Sequence, residues 1–379
     1  MNSVTIVFKR LRYFFTAALV LGSVSTSTLV SAQEYGKPGE PVKLVVGYQP
    51  YWTMGFAPAV LRSKEMWKKY LPAGSTVEFQ IGLQGAIIVN AMLAGKQQIG
   101  YLGEMPAIVS TTKNSVADIR MVAVLGLSQD VCNVLLVRAD APAFKTPAEA
   151  IKWVGGKQFA TPRGACSDRF AQALFKKSDV QPASYSNQSI EVISTNFKAG
   201  KIDAAVVWEP TATKLVENGL ARRVASGVNV GESDAGLVVM RADLIQQRPD
   251  VAKAWLMAEL DAQLFTLDPK NSKEVARIAA QQLAGFSERT LWNANYGVVP
   301  ESAGGSSVKF SRPFAFTPDV MKLIDEATTF LHGMKSIDTA KLRSDAVMPD
   351  LALQVLKERG LTAPIGKIVA LPKSVFDEK

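Results

Sequence analysis

The stretch GKQFATPRGACSDRFAQALFKK, residues 156–177, decides how the rest of the chain is read. Gln158–Thr161 is a short β-prone run, Pro162-Arg163-Gly164 is a turn, and Phe170, Ala173 and Leu174 then recur on one helical face. The reading is strand, tight loop, helix. Cys166, Ser167 and Asp168 fall at the helix start, where backbone N–H groups lack intrahelical partners and the macrodipole is positive, so the loop suits an anion or a strong acceptor. The alternative is that Ser167 or Asp168 only caps its own helix.

The same alternation extends to both sides. Upstream, Val42–Val46, Val77–Ile81, Gln98–Leu102 and Ile119–Leu127 read as strands, with helices over residues 58–70 and 85–93 and a further one after Pro106. A second series starts at the strand Val131–Val137 and continues through the opening stretch to a helix over 189–199, the strand Asp203–Val207 and a helix over 211–218 closed by Gly219. Strands alternating with helices imply βαβ units and mostly parallel sheets. Two such series predict two α/β lobes, with crossovers near 126–130 and 224–235. The helix-rich part after Gly236 (248–266, 272–284, 287–296 and 319–331) is expected to return to the first lobe. Lobe 1 is therefore 42–127 with 232–348, lobe 2 is 128–231, and 349–379 is a loose C-terminal extension.

Ligands in open α/β sheets sit at the carboxyl ends of the strands. Those ends carry Gln49, Tyr51 and Trp52; Gln84 and Gly85; Glu104 and Met105; Arg163 through Arg169; and Trp208 and Glu209. The set is polar and aromatic, as a pocket for a small ligand requires. Each member also has a structural reading, as core packing for the tryptophans and as helix caps for the acids.

Lys9, Arg10 and Arg12 precede a mostly apolar run over 13–24 and the small residues Val30-Ser31-Ala32, the pattern of a cleavable export signal over 1–32. The apolar run is too short for a transmembrane anchor. Cleavage after Ala32 and a soluble exported protein are expected. Those three cations account for three of the nine formal positive charges, and the remainder is scattered with no basic block, which argues against nucleic-acid binding. Two cysteines, Cys132 and Cys166, in an oxidising compartment are read as a disulfide, the alternative being two buried thiols.

Catalytic patterns are missing. His332 is the only histidine, and no G-x-S-x-G, P-loop or G-x-G-x-x-G motif occurs. Cys132 and Cys166 lack the spacing of a zinc knuckle. No enzyme activity, cofactor or metal is expected.

Four segments together carry a resemblance: VGYQPYWTMGFAP, FQIGLQGAIIVNAMLAGKQQIGYLGEMPAIV, CNVLLVRADAPAFKTPAEAIKWVGGKQFATPRGACSDRFAQALF and FKAGKIDAAVVWEPTATKLVENGLARRVASG. This order, and above all the strand ending in Trp208-Glu209-Pro210, resembles the periplasmic solute-binding proteins of ABC importers for sulfonates, taurine, nitrate and thiamine-related pyrimidines. The likeness covers Val42–Gly227 well and the later helices loosely. Glu104 stands where relatives usually have Asp, and Cys166 where many have Ser or Thr. The resemblance implies a type II fold with the ligand between two lobes joined by two crossovers, and a membrane permease as partner to a monomer. In that site the N–H groups of 165–168, with the Ser167 hydroxyl, would take an oxyanion. Arg163 or Arg169 would add charge, and Gln49, Gln84 and Gly85 would donate from the facing lobe. Tyr51, Trp52 and Trp208 would wall the organic part, and Glu104, Asp168 or Glu209 would meet a cationic group, as in taurine. A pyrimidine-like ligand, or an enzyme acting on such a heterocycle, is the alternative.

Overall fold

The computed structural model describes residues 34–378, so the export signal expected over 1–32 lies outside the described residues. The strands in chain order are β1 (Lys43–Tyr48), β2 (Thr76–Ile81), β3 (Ile99–Gly103), β4 (Ile119–Ser128), β5 (Val134–Arg138), β6 (Gln158–Thr161), β7 (Ser184–Asn187), β8 (Ala204–Val207), β9 (Ala221–Ser226), β10 (Asp234–Arg241), β11 (Val308–Arg312) and β12 (Gly366–Val369). Among the described residues they form two sheets, ordered β12-β11-β4-β10-β3-β1-β2 and β7-β6-β8-β5-β9. Each is covered on both faces. Along β10, Val238 and Met240 belong to one apolar cluster and Leu237 and Val239 to another. Likewise Leu135 and Val137 of β5 face one cluster, and Val134 and Leu136 the opposite one. Strands buried on both faces are apolar at every position, which is why AAVV (β8) and LVV within β10 read as unbroken hydrophobic runs. These are the two α/β lobes of the type II binding-protein fold.

The sheets are less parallel than the alternation implies. β1 pairs in parallel with β2 and β3, and β6 with β7 and β8, but β10 runs antiparallel to β3 and β4, and β5 antiparallel to β8 and β9. Two of the strands that run against the rest of their sheet, β5 and β10, are the first strands after each crossover; β11, antiparallel to β4 and β12, is the third. Ser128 of β4 lies opposite Asp234 of β10, and Val134 of β5 opposite Ser226 of β9, so the two crossing segments run side by side. Cys132 N–H donates to Asp234 Oδ1 (3.2 Å), Asn133 Nδ2 to the Glu232 carbonyl (3.2 Å) and Gly227 N–H to the Asn133 carbonyl (3.1 Å). The two crossing segments between the sheets are thus hydrogen-bonded to one another; they are the crossovers, and the place where the lobes could pivot.

Two local expectations change. The helix expected over 58–70 is Phe56–Ser63, because Glu65 turns left-handed (φ 48°) and a 3-10 turn over Met66–Lys69 follows. The tail read as a loose extension is packed: the helix Pro349–Glu358 buries Ala352, Val355 and Leu356, and β12 adds an edge strand antiparallel to β11.

One buried acid makes stability depend on pH. Glu259, in the helix Pro249–Leu267, is fully buried and accepts from Tyr101 Oη (2.8 Å) and Gln263 Nε2 (3.0 Å). Burial raises its pKa to about 7. A carboxyl raised in the folded state stabilises the fold fully below its unfolded pKa, and that contribution is lost as pH rises through the folded value. Unfolding free energy should therefore fall by roughly 2 to 3 kcal/mol between pH 5 and 8 from this group, and Glu259→Gln should flatten that slope. Parallel denaturation curves for the two proteins across that range would refute the assignment.

Candidate functional site

A cavity of about 220 Å³ lies between the carboxyl ends of the two sheets. The first lobe supplies Gln49 and Trp52 from the loop after β1, Gln84, Gly85 and Ala86 from the segment after β2, and Gly103 and Pro106 from the end of β3. The second lobe supplies Pro162 through Cys166 from the loop after β6, Cys132 from the crossover, and Trp208 from the end of β8.

Three helices start at its wall: Gly85–Leu93, Glu104–Thr111 and Cys166–Ser178. None has a side-chain cap. Their N-terminal ends, the positive ends of three dipoles, are thus brought to the wall of one space. The first two starts fit together only because residue 85 is glycine, since a Cβ there would lie 2.5 Å from Pro106 Cγ. Trp52 is 6% exposed, and a Cβ on Gly236 of β10 would come within 2.7 Å of its ring, so the indole is seated directly on the hinge strand. Among the described residues its buried Nε1 has no hydrogen-bond partner.

Cys132 and Cys166 are bonded as a disulfide, which forms part of the cavity wall. The bond ties the first crossover to the first residue of the helix Cys166–Ser178. The loop before that helix is braced from behind by Asp168. Its carboxylate accepts from Gly164 N–H (2.9 Å), Arg163 Nε (3.3 Å) and Gln172 Nε2 (2.9 Å), and from the Tyr185 hydroxyl. Arg163 also stacks over the Tyr185 ring at 4.8 Å, and among the described residues it is the single charged side chain on this cavity.

Several of the expected site residues are turned away. Glu104 is fully buried and accepts from Arg169 Nη2 (3.5 Å) and Ala235 N–H (3.2 Å); burial pushes its carboxyl up while Arg169 opposes the shift. Arg169 does not reach the cavity either. It lies between the lobes, donating to Glu104, to Glu232 Oε2 (2.9 Å) and to the Ser233 carbonyl. Nearby Asp234 is held well above the usual carboxylate range by burial and then by the charge of Glu104. Glu209 is buried against Arg223 (3.0 Å) and caps the next helix through Thr213 N–H (2.9 Å). Met105 is core, and the Ser167 hydroxyl is buried behind the loop.

A second, wider chamber of about 350 Å³ adjoins the first, with Gln84 and Trp208 common to both walls. Tyr51 lines this outer chamber, with Leu83, Ile190, Leu215, Lys214 and Phe286. Sequence reasoning missed Asn90 and Val89 on the inner wall and Phe286 on the outer. The helical spacing of Ala86, Val89 and Asn90 was the available signal for the first two. Among the described residues no group of acids, cysteines and histidines is placed to hold a metal, and no helix is long and apolar enough to cross a membrane.

A model of the NMT1-like family matches residues 37–280. The taurine-binding periplasmic protein of Escherichia coli K12 is 26% identical over 270 residues, covering 67% of this chain and 79% of that protein. Among solved structures, the alkanesulfonate-binding protein SsuA of Xanthomonas axonopodis pv. citri, bound to MOPS, superposes with a TM-score of 0.62 at 16% identity, covering 83% of this chain and 99% of that one. The desulfurization enzyme DSZB superposes with a TM-score of 0.60 at 15% identity, covering 84% and 99%. At these identities the structural likeness is one of fold.

Proposed function

The chain belongs to the NMT1-like family, and from that premise we propose that it is the solute-binding component of an ABC import system, exported to the periplasm. It would close its lobes around a small organic anion of the sulfonate type and present it to a membrane permease. The observation that carries this reading is the convergence of three uncapped helix starts on one cavity whose single charged side chain is Arg163. Such an arrangement favours a negative head group through N–H donors and aligned dipoles, and a guanidinium suits an oxyanion. Contacts from both lobes are what make binding drive closure, because a ligand shifts a two-state equilibrium only through interactions it gains in one state. The relatives named for taurine and alkanesulfonate agree with an oxyanion head.

The enzyme reading has the fold of DSZB in its favour. It lacks a nucleophile or base here. Cys166 is tied in the disulfide, His332 is exposed on the helix Pro318–Gly333 and does not line the cavity, and no carboxylate among the described residues lines it.

Thermal-shift measurements with alkanesulfonates, nitrate and an aminopyrimidine should show stabilisation by the sulfonates, through preferential binding to the folded state. Replacing Trp52 by Phe removes an unpaired N–H and keeps an aromatic ring. The affinity for a sulfonate should fall about tenfold or more, the range for a lost hydrogen bond to a charged group. Stabilisation by the pyrimidine alone would refute the sulfonate reading.

A further inference from the structure

Taking the anion reading above as its basis, we infer that Asp168, which does not line the cavity, sets how much charge the head group can carry. By balancing Arg163 from behind, it makes the site one for single negative charges and turns doubly charged anions away.

The geometry around Asp168 supports this. The residue is fully buried on the helix Cys166–Ser178, and its carboxylate meets donors only: Gly164 N–H (2.9 Å), Gln172 Nε2 (2.9 Å), Arg163 Nε (3.3 Å) and the Tyr185 hydroxyl. An ionised carboxylate is acceptor-only, so four donors are the partner set it needs. Arg163 is fixed by three contacts. Its backbone N–H donates to Asn187 Oδ1 (3.0 Å), its Nε donates to Asp168, and its guanidinium lies over the Tyr185 ring at 4.8 Å. Tyr185 and Asn187 both stand on β7, the polar edge strand. Among the described residues the two Nη groups of Arg163 have no hydrogen-bond partner, and the residue lines the cavity, so its outer fork is left for the solute.

The consequence is a balance of charge. Arg163, the cation offered to the head group, carries its own anion at 3.3 Å, and the pair sums to zero. The charges around the cavity also pair off. Arg169 lies against Glu104 and Glu232, and Lys177 against Glu232, so two cations face two acids there. Asp234 beside them is pushed toward its neutral form by burial and by the Glu104 charge. On the outer chamber wall stand one acid, Glu191, and one cation, Lys214. A singly charged head group is then held by the guanidinium fork and by helix ends that each carry a fraction of a charge. A second negative charge gains no further cation. It is also repelled by Asp168, and repulsion inside a partly buried site is screened far less than in water.

Calorimetry on the full chain with methanesulfonate and sulfate tests the inference. Both anions are tetrahedral and lack donors, and they differ by a methyl group against a charged oxygen. The parent should bind methanesulfonate at least about tenfold tighter than sulfate. Asp168→Asn should narrow that ratio about tenfold, the order expected for one unit charge acting across a guanidinium. Arg163→Gln, at a side chain 37% exposed, should widen it by a similar factor, because Asp168 then stands unbalanced. Tyr185→Phe loosens the carboxylate and keeps its charge, so it should weaken both anions about threefold and move the ratio by less than about twofold. Should Asp168→Asn fail to fold, the widening in Arg163→Gln decides the matter. A parent that binds the two anions alike, a ratio that Arg163→Gln leaves unmoved, or a shift in Tyr185→Phe as large as that in Asp168→Asn overturns the charge balance and leaves the anion site standing. No binding of either anion overturns both.

Discussion

Replacing Cys132 and Cys166 together by alanine should lower the unfolding free energy by about 3 to 4 kcal/mol, the chain-entropy value for a closed loop of this length. The cysteines are 34 residues apart in sequence, and the bond closes that loop across the second lobe. A further effect follows from where the two ends sit. Cys166 is the first residue of a helix whose uncapped N-terminus faces the cavity, and Cys132 lies in the crossover, with its N–H on the buried Asp234. Without the bond, the start of this helix is tied to the crossover only indirectly, through the β6-β8-β5 pairing and side-chain contacts. Affinity should fall with stability, and reduction by a dithiol should reproduce both losses. Linkage makes the effect reciprocal: a bound solute should make the disulfide harder to reduce by the same factor by which reduction weakens binding. Urea denaturation and calorimetry with and without reductant check this. Unchanged midpoint and affinity after complete reduction would remove the disulfide from the site.

Much of the fold was legible where local pattern and buried position coincide, with β10, buried at every position, the exception. Val42–Val46 is a mostly apolar run and Gln158–Thr161 a short β-prone one, each bounded by turn residues, and both are strands within a residue or two. The strands that escaped are β7, β9, β10, β11 and β12; β10 and β11 lie in the part read only as helix-rich, and the other three carry another signal in their sequence. β9 is ARRVAS, and its two adjacent arginines hide an alternation that serves Arg223 at the hinge, where it pairs with Asp130 and Glu209. β7 is the polar SYSN, an edge strand. β12 is GKIV in a proline-bearing tail, and only its pairing with β11 makes it a strand.

The site was legible in position and less so in direction. The rule that ligands gather at strand ends placed Gln49, Trp52, Gln84, Gly85, Arg163, Cys166 and Trp208 on the inner wall and Tyr51 on the outer. It put Glu104, Ser167, Asp168, Arg169 and Glu209 at the same ends, yet each of these side chains points back into the protein. A helix begins within a few residues of its strand, and each residue along the first turn advances about 100° around the axis. Neighbours in sequence therefore face opposite ways. Composition cannot resolve that rotation, and the polar residues turned inward serve to hold the backbone that lines the cavity.

Arg169→Ala should be the most damaging of these inward-facing changes, with a loss of about 3 to 5 kcal/mol, the range for removing one partner of a buried ion pair. The Arg169 side chain is 6% exposed and that of Glu104 is fully buried, so alanine would leave Glu104 without a counterion beside Asp234, whose carboxyl is already pushed up by burial and by that same charge. Glu232 would keep only Lys177, whose side chain is 45% exposed. The residue also connects three parts of the site. It stands on the helix whose start lines the cavity, pairs with the first residue of a helix from the opposite lobe, and bonds the crossover at Glu232 and Ser233. Removing it should weaken solute binding although it touches no part of the cavity. The mechanism separates from plain loss of packing in a double-mutant cycle. Arg169→Met with Glu104→Gln removes both charges together, and should recover 1 kcal/mol or more relative to the sum of the single changes. Additive single changes, or an Arg169→Ala protein within about 1 kcal/mol of the parent by urea denaturation, would show that the pair does not bind the lobes together.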